Sequence, residues 1–280
     1  MIKYASEKTK ITGIRTFDVR FPTSLNNIGT DAVHTDCDYS SSYVEILTDD
    51  QNLKGIGLTF TIGKGNELCV QCIDYFKPLI INKTIEEIET DIGRLWRQCT
   101  NHSQLRWLGP EKGIVHLAVA ALFNGLWDLI SKYHKKPLWK YIVELETESL
   151  LDKISFSYID DAISKLEALE IIKEKKKSLP IAQKNIIADG FPCYTTAAGW
   201  LGYSEKKMIR LVKNALKNGW THFKIKVGQD INRDMSRLKL VRDLIGPENI
   251  LMIDANQVWS VNESVEHINK LKKFNLYFVE

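Results

Sequence analysis

The chain has 280 residues, a formal net charge of +3 and a charged fraction of 26%. That length suits two domains of ordinary size, and so small a charge gives no reason to expect nucleic acid as a partner. We predict no membrane-spanning stretch and no signal core, and therefore no membrane contact. Five irregularly spaced cysteines indicate free thiols in a reducing compartment, with the cytoplasm as the first expectation and the mitochondrion as the alternative.

The first part of the chain predicts a small α+β domain. Residues 13–21 alternate like a strand, and the segments 42–47 and 53–60 flank a polar turn and so predict a hairpin. Helical periodicity follows over 67–99, with a break at Pro78. The predicted core positions of these helices share one apolar periodicity: Leu68, Cys72, Tyr75, Ile85, Ile88, Ile92, Leu95 and Trp96.

A long apolar segment at 113–133 predicts a helix buried between two domains. We assign residues 1–150 to an N-terminal α+β domain with a helical part. Residues 151–190 are assigned to a helical, basic connector.

From Cys193 onward the pattern changes to repeated strand and helix units. Strand-like segments at 194–200, 222–227, 250–254 and 277–280 start 28, 28 and 27 residues apart. Amphipathic helices lie between them, which predicts parallel strands over residues 191–280. The apolar stripes of these three helices are predicted to be Met208, Leu211, Val212 and Leu216, then Met235, Leu238, Val241 and Ile245, and then Val261, Val265, Ile268 and Leu271. The spacing suits a (β/α)8 barrel, with about 30 residues per unit, and an open doubly wound sheet equally well.

The second of these strands carries two lysines on one face, Lys224 and Lys226. Taken alone, they would form a solvated strand face. Strands between crossover helices are covered on both faces, however, so two lysines there need another explanation. The mouth of a barrel provides one.

Carboxylates end the next two strands, Asp254 followed by Asn256, and then Glu280. The carboxyl ends of parallel strands form the functional rim of such folds, and carboxylates there make a hard-cation site suited to Mg²⁺. A lysine beside a second ammonium and a divalent cation could act as a base at neutral pH. The alternatives are a loop cap for Asp254 and an ordinary surface residue for Glu280.

At these residues the sequence resembles the mandelate racemase subgroup of the enolase superfamily, and within it the L-fuconate dehydratases. The likeness rests on K-x-K at Lys224 and Lys226, D-A-N-Q at 254–257 and the Glu280 that follows Asp254 by 26 positions. Cys37 departs from the pattern, where proline is expected. Longer motifs that match are RFPTS at 20–24, DAVHTDCDYSSSY at 31–43, FTIGKGNE at 60–67, QLRWLGPEKG at 104–113 and YTTAAGWLGYS at 194–204.

The resemblance implies an α/β fold in which an N-terminal capping domain precedes the first half, about four strands, of an enolase-type (β/α) barrel. It implies one Mg²⁺ per site, held by three carboxylates that include Asp254 and Glu280. Lys226 would be the base that removes the proton α to the carboxylate of a small sugar acid, and Lys224 would tune it and stabilise negative charge. Loss of water would then give a 2-keto-3-deoxy sugar acid.

Further residues are candidates for substrate binding. His34 and Asp36 lie on a polar loop suited to hydroxyl recognition, although an ordinary surface loop explains each of them equally well. Asn256 and Lys224 belong to the predicted rim. Trp107 could line the pocket, and a core or interface role is at least as good an explanation.

In this family, the third metal carboxylate and a catalytic histidine come from strands later than Glu280. We therefore expect the chain, taken as it stands, to have little or no dehydratase activity. The hypotheses are a piece of a full dehydratase, a short form with a binding or regulatory role, or an unrelated open-sheet ligand-binding protein. The last of these leaves the long motif matches unexplained. Open parallel strand edges also predict association, such as a homo-oligomer.

Overall fold

The computed structural model describes residues 8–109 and 111–280, which divide into two compact units. The first unit runs to Arg20 and resumes over Ser40–Asp189, and the second comprises Phe21–Tyr39 and Gly190–Glu280. The elements in chain order are β1 Ile11–Arg20, β2 Ser40–Thr48, β3 Lys54–Thr61, α1 Asn66–Asp74, α2 Ile85–Thr100, α3 Ile114–Tyr133, α4 Leu138–Glu144, α5 Thr147–Leu151, α6 Lys165–Lys177, α7 Leu179–Asp189, α8 Glu205–Lys217, β4 His222–Lys226, α9 Ile231–Ile245, β5 Ile250–Asp254, α10 Val261–Leu271 and β6 Leu276–Val279.

The predicted bounds were 1–150, 151–190 and 191–280. The two units place residues 151–189 with the first unit and place one loop, Phe21–Tyr39, with the second. The segment Phe21–Tyr39 packs with the second unit, although sequence order assigns it to the N-terminal domain. Backbone contacts explain this, since Leu201 donates its N–H to Thr30 O at 3.1 Å and Gly202 donates to Thr30 Oγ1 at 2.9 Å.

The first unit is built on an antiparallel sheet in the order β1–β2–β3, and the predicted hairpin is present as β2 and β3. One face of the sheet, with Val44 and Ile46, packs into the core beneath α3. Strand and helix approach so closely that a Cβ on Gly57 would lie 2.1 Å from Ala121 O. Glycine is therefore required at this point for steric reasons.

The helix α3 is the centre of the first unit. It is long and apolar enough to cross a membrane by length and composition, contrary to the prediction that no stretch has that length. However, 61% of its most apolar window is buried inside the protein, and it contacts β2, β3, α1 and α2. These contacts identify it as the core helix of this unit.

Two predicted core positions, Leu68 and Tyr75, are exposed. The buried face of α1 instead contains Asn66, Cys69 and Cys72, spaced three residues apart, and Leu68 lies off that face. Tyr75 follows the last residue of α1. In α2 the predicted stripe is correct, and its N-terminus carries a complete capping box.

The second unit contains a parallel sheet in the order β4–β5–β6. The helix α8 precedes β4, α9 connects β4 to β5, and α10 connects β5 to β6. The prediction that 194–200 is a strand is wrong. The backbone N–H groups of Lys224 and Lys226 donate to Thr195 O and Gly199 O, respectively. The two acceptors are four residues apart in the chain, whereas the two donors on β4 are only two residues apart. This mismatch leaves one bridge, between Thr195 and Phe223, and no ladder.

The apolar stripes of the helices are buried to different degrees. Met208 and Val212 of α8, and Leu238 and Val241 of α9, lie in the core of this unit. The stripe predicted for α10 is mostly exposed, including Val261 at 80%, because no described residue covers that face.

Candidate active site

Two lysines of β4 lie side by side in the protein interior. Phe223, Ile225 and Val227 project into the apolar core, and the strand pleat turns Lys224 and Lys226 to the opposite face. The lysines are only 6% and 7% exposed, respectively. Both faces of β4 are thus buried, as expected of a strand between crossover helices.

Carboxylates on the neighbouring strands pair with these ammonium groups. The parallel register sets Lys226 opposite Asp254, and Lys226 Nζ lies 2.5 Å from Asp254 Oδ2 and donates to Asn256 Oδ1 at 2.8 Å. Lys224 Nζ lies 3.2 Å from Asp254 Oδ2 and donates to Glu280 Oε2 at 2.6 Å. Five residues predicted from the rim pattern therefore converge in the structure.

At Lys224 and Asp254, the hydrogen bonds and ion pairs together shift the pKa more than burial does. Burial acts to lower the pKa of Lys224, but hydrogen bonds to Glu280, Tyr194 and Asp254 together raise that pKa above its ordinary value. Burial acts to raise the pKa of Asp254, and the contacts with Lys226, the Asn256 N–H and Lys224 lower it overall. Charge remains in the interior here because every charge has a partner.

The turn after β5 orients the amide of Asn256. Asp254 Oδ1 accepts the N–H of Asn256 at 2.9 Å, and both Asn256 and Gln257 have left-handed backbone angles, with φ of 51° and 58°. Asparagine tolerates this conformation better than most residues. Asp254 therefore caps the loop as well as binding the lysines, so the two interpretations of this residue are compatible.

Two aromatic residues contact the lysines, and neither was singled out from the sequence. The ring of Tyr194 lies 4.9 Å from Lys224 Nζ, and the ring of Trp200 lies 5.6 Å from Lys226 Nζ. Both belong to the segment 194–200, which was interpreted as a strand and as part of the matching motif YTTAAGWLGYS at 194–204. The available signal was the pair of aromatic residues at the two ends of that segment.

The loop Phe21–Tyr39 carries a second ordered pair, Asp31 and His34. Asp31 is buried and accepts the N–H groups of Val33 and His34, and His34 Nδ1 lies 3.0 Å from Asp31 Oδ2. Burial acts to raise the pKa of Asp31, whereas these hydrogen bonds lower it overall, so the ionised carboxylate is the acceptor in this cluster of contacts.

This loop lies near the carboxyl end of β4, because a Cβ on Gly228 would be 3.3 Å from Ala32 Cβ. His34 follows Ala32 by two residues, and Asp36 is exposed further along the same loop. Trp107 belongs to the first unit, where it lies on a single 3-10 turn and is 90% exposed. The binding roles of these three side chains stay predictions.

The chemistry of the cluster suits a hard divalent cation. Asp254 and Glu280 each place a carboxylate oxygen within 3.2 Å of the same nitrogen, Lys224 Nζ, so their oxygens converge on one region. Mg²⁺ is commonly held by one or two protein carboxylates, with water and substrate oxygens completing its octahedron. In 8–109 and 111–280 there is no group of three or more His, Cys, Asp or Glu side chains poised around one point.

Comparison with known proteins agrees with this arrangement. Residues 15–142 match the N-terminal domain of mandelate racemase / muconate lactonizing enzyme, and residues 207–280 match the enolase C-terminal domain-like family. Mitochondrial enolase superfamily member 1 of Xenopus laevis is 47% identical over 97% of this chain. L-galactonate dehydratase of Hypocrea jecorina is 42% identical over 96%. The chain spans 61% and 60% of the lengths of these relatives, respectively.

Solved structures show the same fold. Human mitochondrial enolase superfamily member 1 superposes with a TM-score of 0.92 at 46% identity, over 97% of this chain and 62% of that protein. L-talarate/galactarate dehydratase of Salmonella typhimurium, solved with Mg and L-lyxarohydroxamate, gives 0.69 at 20% identity, over 100% of this chain and 60% of that one. The architecture is an α/β fold with an N-terminal capping domain and an enolase-type C-terminal domain, and the chain belongs to the mandelate racemase subgroup of the enolase superfamily.

Proposed function

We propose that this protein is a sugar-acid dehydratase, which removes the proton α to a carboxylate and then releases water to give a 2-keto-3-deoxy acid. The observation that carries the proposal is the buried pair of Lys226 and Asp254, 2.5 Å apart at the carboxyl ends of adjacent parallel strands. Lys224 and Glu280 form a second pair beside it. Two relatives described as L-galactonate and L-talarate/galactarate dehydratases support the reaction class.

Lys226 is the proposed base in this reaction. Its Nζ is held by Asp254 and Asn256, with the Trp200 ring on a further side, so its position is fixed before a substrate arrives. To accept the α-proton, Lys226 Nζ must first lose its own proton and its contact with Asp254. Lys224, whose hydrogen bond partners in this structure are Glu280, Tyr194 and Asp254, is the proposed cationic neighbour of the substrate carboxylate.

Asp254 and Glu280 are the proposed protein ligands of one Mg²⁺ ion. Their oxygens are of the type that Mg²⁺ prefers, and a related dehydratase was solved with Mg bound. Bound Mg²⁺ supplies electrostatic stabilisation for the negative charge that develops on the substrate carboxylate. The two carboxylates would then exchange their ammonium partners, at least in part, for the cation.

The proposed substrate is a six-carbon acid of the L-galactonate type. L-Fuconate, which the sequence resemblance suggests, is L-galactonate without its 6-hydroxyl group, so the two acids share the configuration of C2 to C5. The candidate partners of the substrate hydroxyls are His34, which Asp31 orients, Asp36 and Asn256. Discrimination between the two acids would depend on a contact with the 6-hydroxyl.

The compartment and the assembly are part of the same proposal. Relatives that carry a mitochondrial designation support the mitochondrion, the alternative set beside the cytoplasm at the sequence level. A homo-oligomer stays a prediction.

Product formation tests the proposed function, and it also decides between that proposal and the expectation from the sequence that the chain, taken as it stands, has little or no dehydratase activity. Purified protein is incubated with L-fuconate or L-galactonate, with Mg²⁺ or with a chelator, and the 2-keto-3-deoxy acid is measured as its semicarbazone. We expect Mg²⁺-dependent product, and a loss of about 100-fold or more in Lys226→Met, the range for removal of a general base. Lys239→Met is the matched control, since Lys239 pairs with Asp243 on the exposed face of α9. Absence of both product and proton exchange at C2 with either acid would overturn the proposal.

A further inference from the structure

Two charged residues of α9 are buried behind the lysine cluster. Asp234 and Arg237 are one helical turn apart and face the same way, with exposures of 1% and 7%, respectively. Sequence periodicity shows only the apolar stripe of this helix. Neither side chain touches the proposed substrate or metal groups, so a different role must account for them.

Asp234 fixes the turn that follows Lys226. Gly228, two residues after that lysine, donates its N–H to Asp234 Oδ2 at 2.8 Å. Gly228 has a φ of 111°, and a Cβ there would lie 2.7 Å from Val258 Cγ2. The turn is thus confined on one side by packing and held on the other by the buried carboxylate.

Arg237 fixes the segment on the other side of β4. Its Nη2 donates to Gly199 O at 2.9 Å and to Trp200 O at 3.1 Å, and its Nη1 contacts Met208 Sδ. Gly199 O also accepts the backbone N–H of Lys226 at 3.0 Å. The guanidinium therefore supports both the backbone partner of Lys226 and the residue whose ring covers its amine.

The energetics of this pair argue against a purely stabilising role. Burial raises the pKa of Asp234 and lowers the pKa of Arg237, so both charged forms are disfavoured by desolvation. Asp234 Oδ1 and Arg237 Nε are also buried, without a hydrogen bond partner among the described residues. Buried charged side chains are often no more stabilising than apolar residues of equal volume, whereas only these two side chains provide the directed hydrogen bonds to Gly228, Gly199 and Trp200.

We propose that Asp234 and Arg237 are positioning residues that hold the two backbone segments flanking Lys226, and thereby fix where its amine is presented. This inference rests on the proposed function only in naming Lys226 as the base. The hydrogen bonds to Gly228, Gly199 and Trp200 stand independently of any reaction. The test therefore has one arm that needs no turnover and one that does.

The first arm is amide hydrogen exchange at Gly228 in Asp234→Ala and Asp234→Asn, compared with Asp243→Ala on the exposed face of the same helix. We expect exchange at Gly228 to rise about tenfold or more in Asp234→Ala, since a hydrogen bond to a charged group is lost. Asp234→Asn keeps a carbonyl acceptor and should remain near the wild-type rate, as should the control. Unchanged exchange in Asp234→Ala would overturn the proposal.

Arg237→Met provides a second route if Asp234→Ala does not fold, which far-UV circular dichroism would reveal. Methionine keeps much of the side-chain length and removes every donor. The amide of Lys226, which depends on Gly199 O, should then exchange about tenfold faster, with no change at an amide of β6 such as Phe278. Equal protection of Lys226 in this variant and the wild type would contradict the inference.

The second arm measures turnover of the sugar acid. Asp234→Ala should lower kcat about tenfold or more with KM little changed, because the substrate contacts remain and the base is displaced. Asp234→Asn should recover most of kcat, a rescue that a general loss of stability would not produce. A wild-type kcat in folded Asp234→Ala overturns the positioning role, whereas an inactive wild type with the expected amide exchange counts against the proposed function alone.

Discussion

Removal of the Asp254 carboxylate should destabilise the second unit strongly. Asp254 is 2% exposed and its Oδ2 atom lies within 3.2 Å of both Lys224 Nζ and Lys226 Nζ. In Asp254→Ala the two ammonium groups stay buried, and the remaining carboxylate, Glu280, has a half-exposed side chain and contacts Lys224 alone. Among the described residues, Lys226 Nζ then keeps only neutral partners, the amide of Asn256 and the ring of Trp200.

The expected loss is about 3–5 kcal/mol in the free energy of unfolding, the cost of removing one partner from a buried ion pair. The direction of the pKa shift of Lys224 determines the pH range over which its ion pairs stabilise the fold. A raised pKa in the folded state means that the pairing stabilises the fold fully below the unfolded value of about 10.4, and that this stabilisation is lost as pH rises through the folded value. At pH 7 the full effect should therefore be present.

Urea denaturation at pH 7, followed by far-UV circular dichroism, measures this effect. With a slope of about 1–3 kcal/mol per molar urea, the midpoint should fall by about 1 M or more. The control Asp243→Ala removes an exposed pair with Lys239 and should shift the midpoint far less.

A double variant tests the reasoning further. Asp254→Leu with Lys226→Met removes both members of the closest pair, and it should recover much of the stability lost in Asp254→Ala, because no unpaired charge remains at Lys226. A midpoint for Asp254→Ala equal to that of the exposed control would refute the account of the cluster as a paired, desolvated site.

Two further predictions concern other parts of the chain. A thiol reagent at pH 8 should label Cys193 alone in the native protein and five cysteines after denaturation, because the other four are buried and burial raises the pKa of Cys72 to about 11 and of Cys99 to about 12; a second fast-reacting native thiol would contradict this. Asp31→Asn should destabilise the protein at pH 6 but have no effect once pH falls well below the ordinary aspartate pKa of about 3.9. The reason is that the pKa of Asp31 is lowered in the folded state, so the stabilisation from its carboxylate is lost as pH falls through that lowered value. Urea midpoints of the variant and the wild type at the two pH values measure this, and an equal difference at both would count against it.

The convergence of the lysines and carboxylates was predictable from two general rules. Period-two alternation places Lys224 and Lys226 on one face of β4, and parallel strands bring their carboxyl ends to one edge, which brings Asp254 and Glu280 to the lysines. Neither rule needs long-range packing information. The four residues therefore meet in the structure as the pattern indicates.

Other features depend on packing that no local pattern encodes. The alternating sequence of 194–200 predicted a regular strand. In the structure residues 195–199 bulge away from β4 instead, and Trp200, which follows the bulge, lies over Lys226. Asp234 is a charged residue and is not among the apolar positions predicted for its helix, so the sequence predicts that it is exposed. In the structure it is buried and accepts a hydrogen bond from the N–H of Gly228, a contact that the helix pattern does not encode. In α10 the error was the reverse, since an apolar stripe containing Val261 was taken to predict burial.

The most direct test of the central claim is proton exchange at C2 of the substrate. L-Galactonate or L-fuconate is incubated with the protein and Mg²⁺ in D₂O, and loss of the C2 proton signal is followed by NMR. The account predicts measurable exchange or elimination with the wild type and with Lys239→Met, and a rate lower by about 100-fold or more with Lys226→Met. Exchange at the wild-type rate in folded Lys226→Met would contradict the assignment of this lysine as the base.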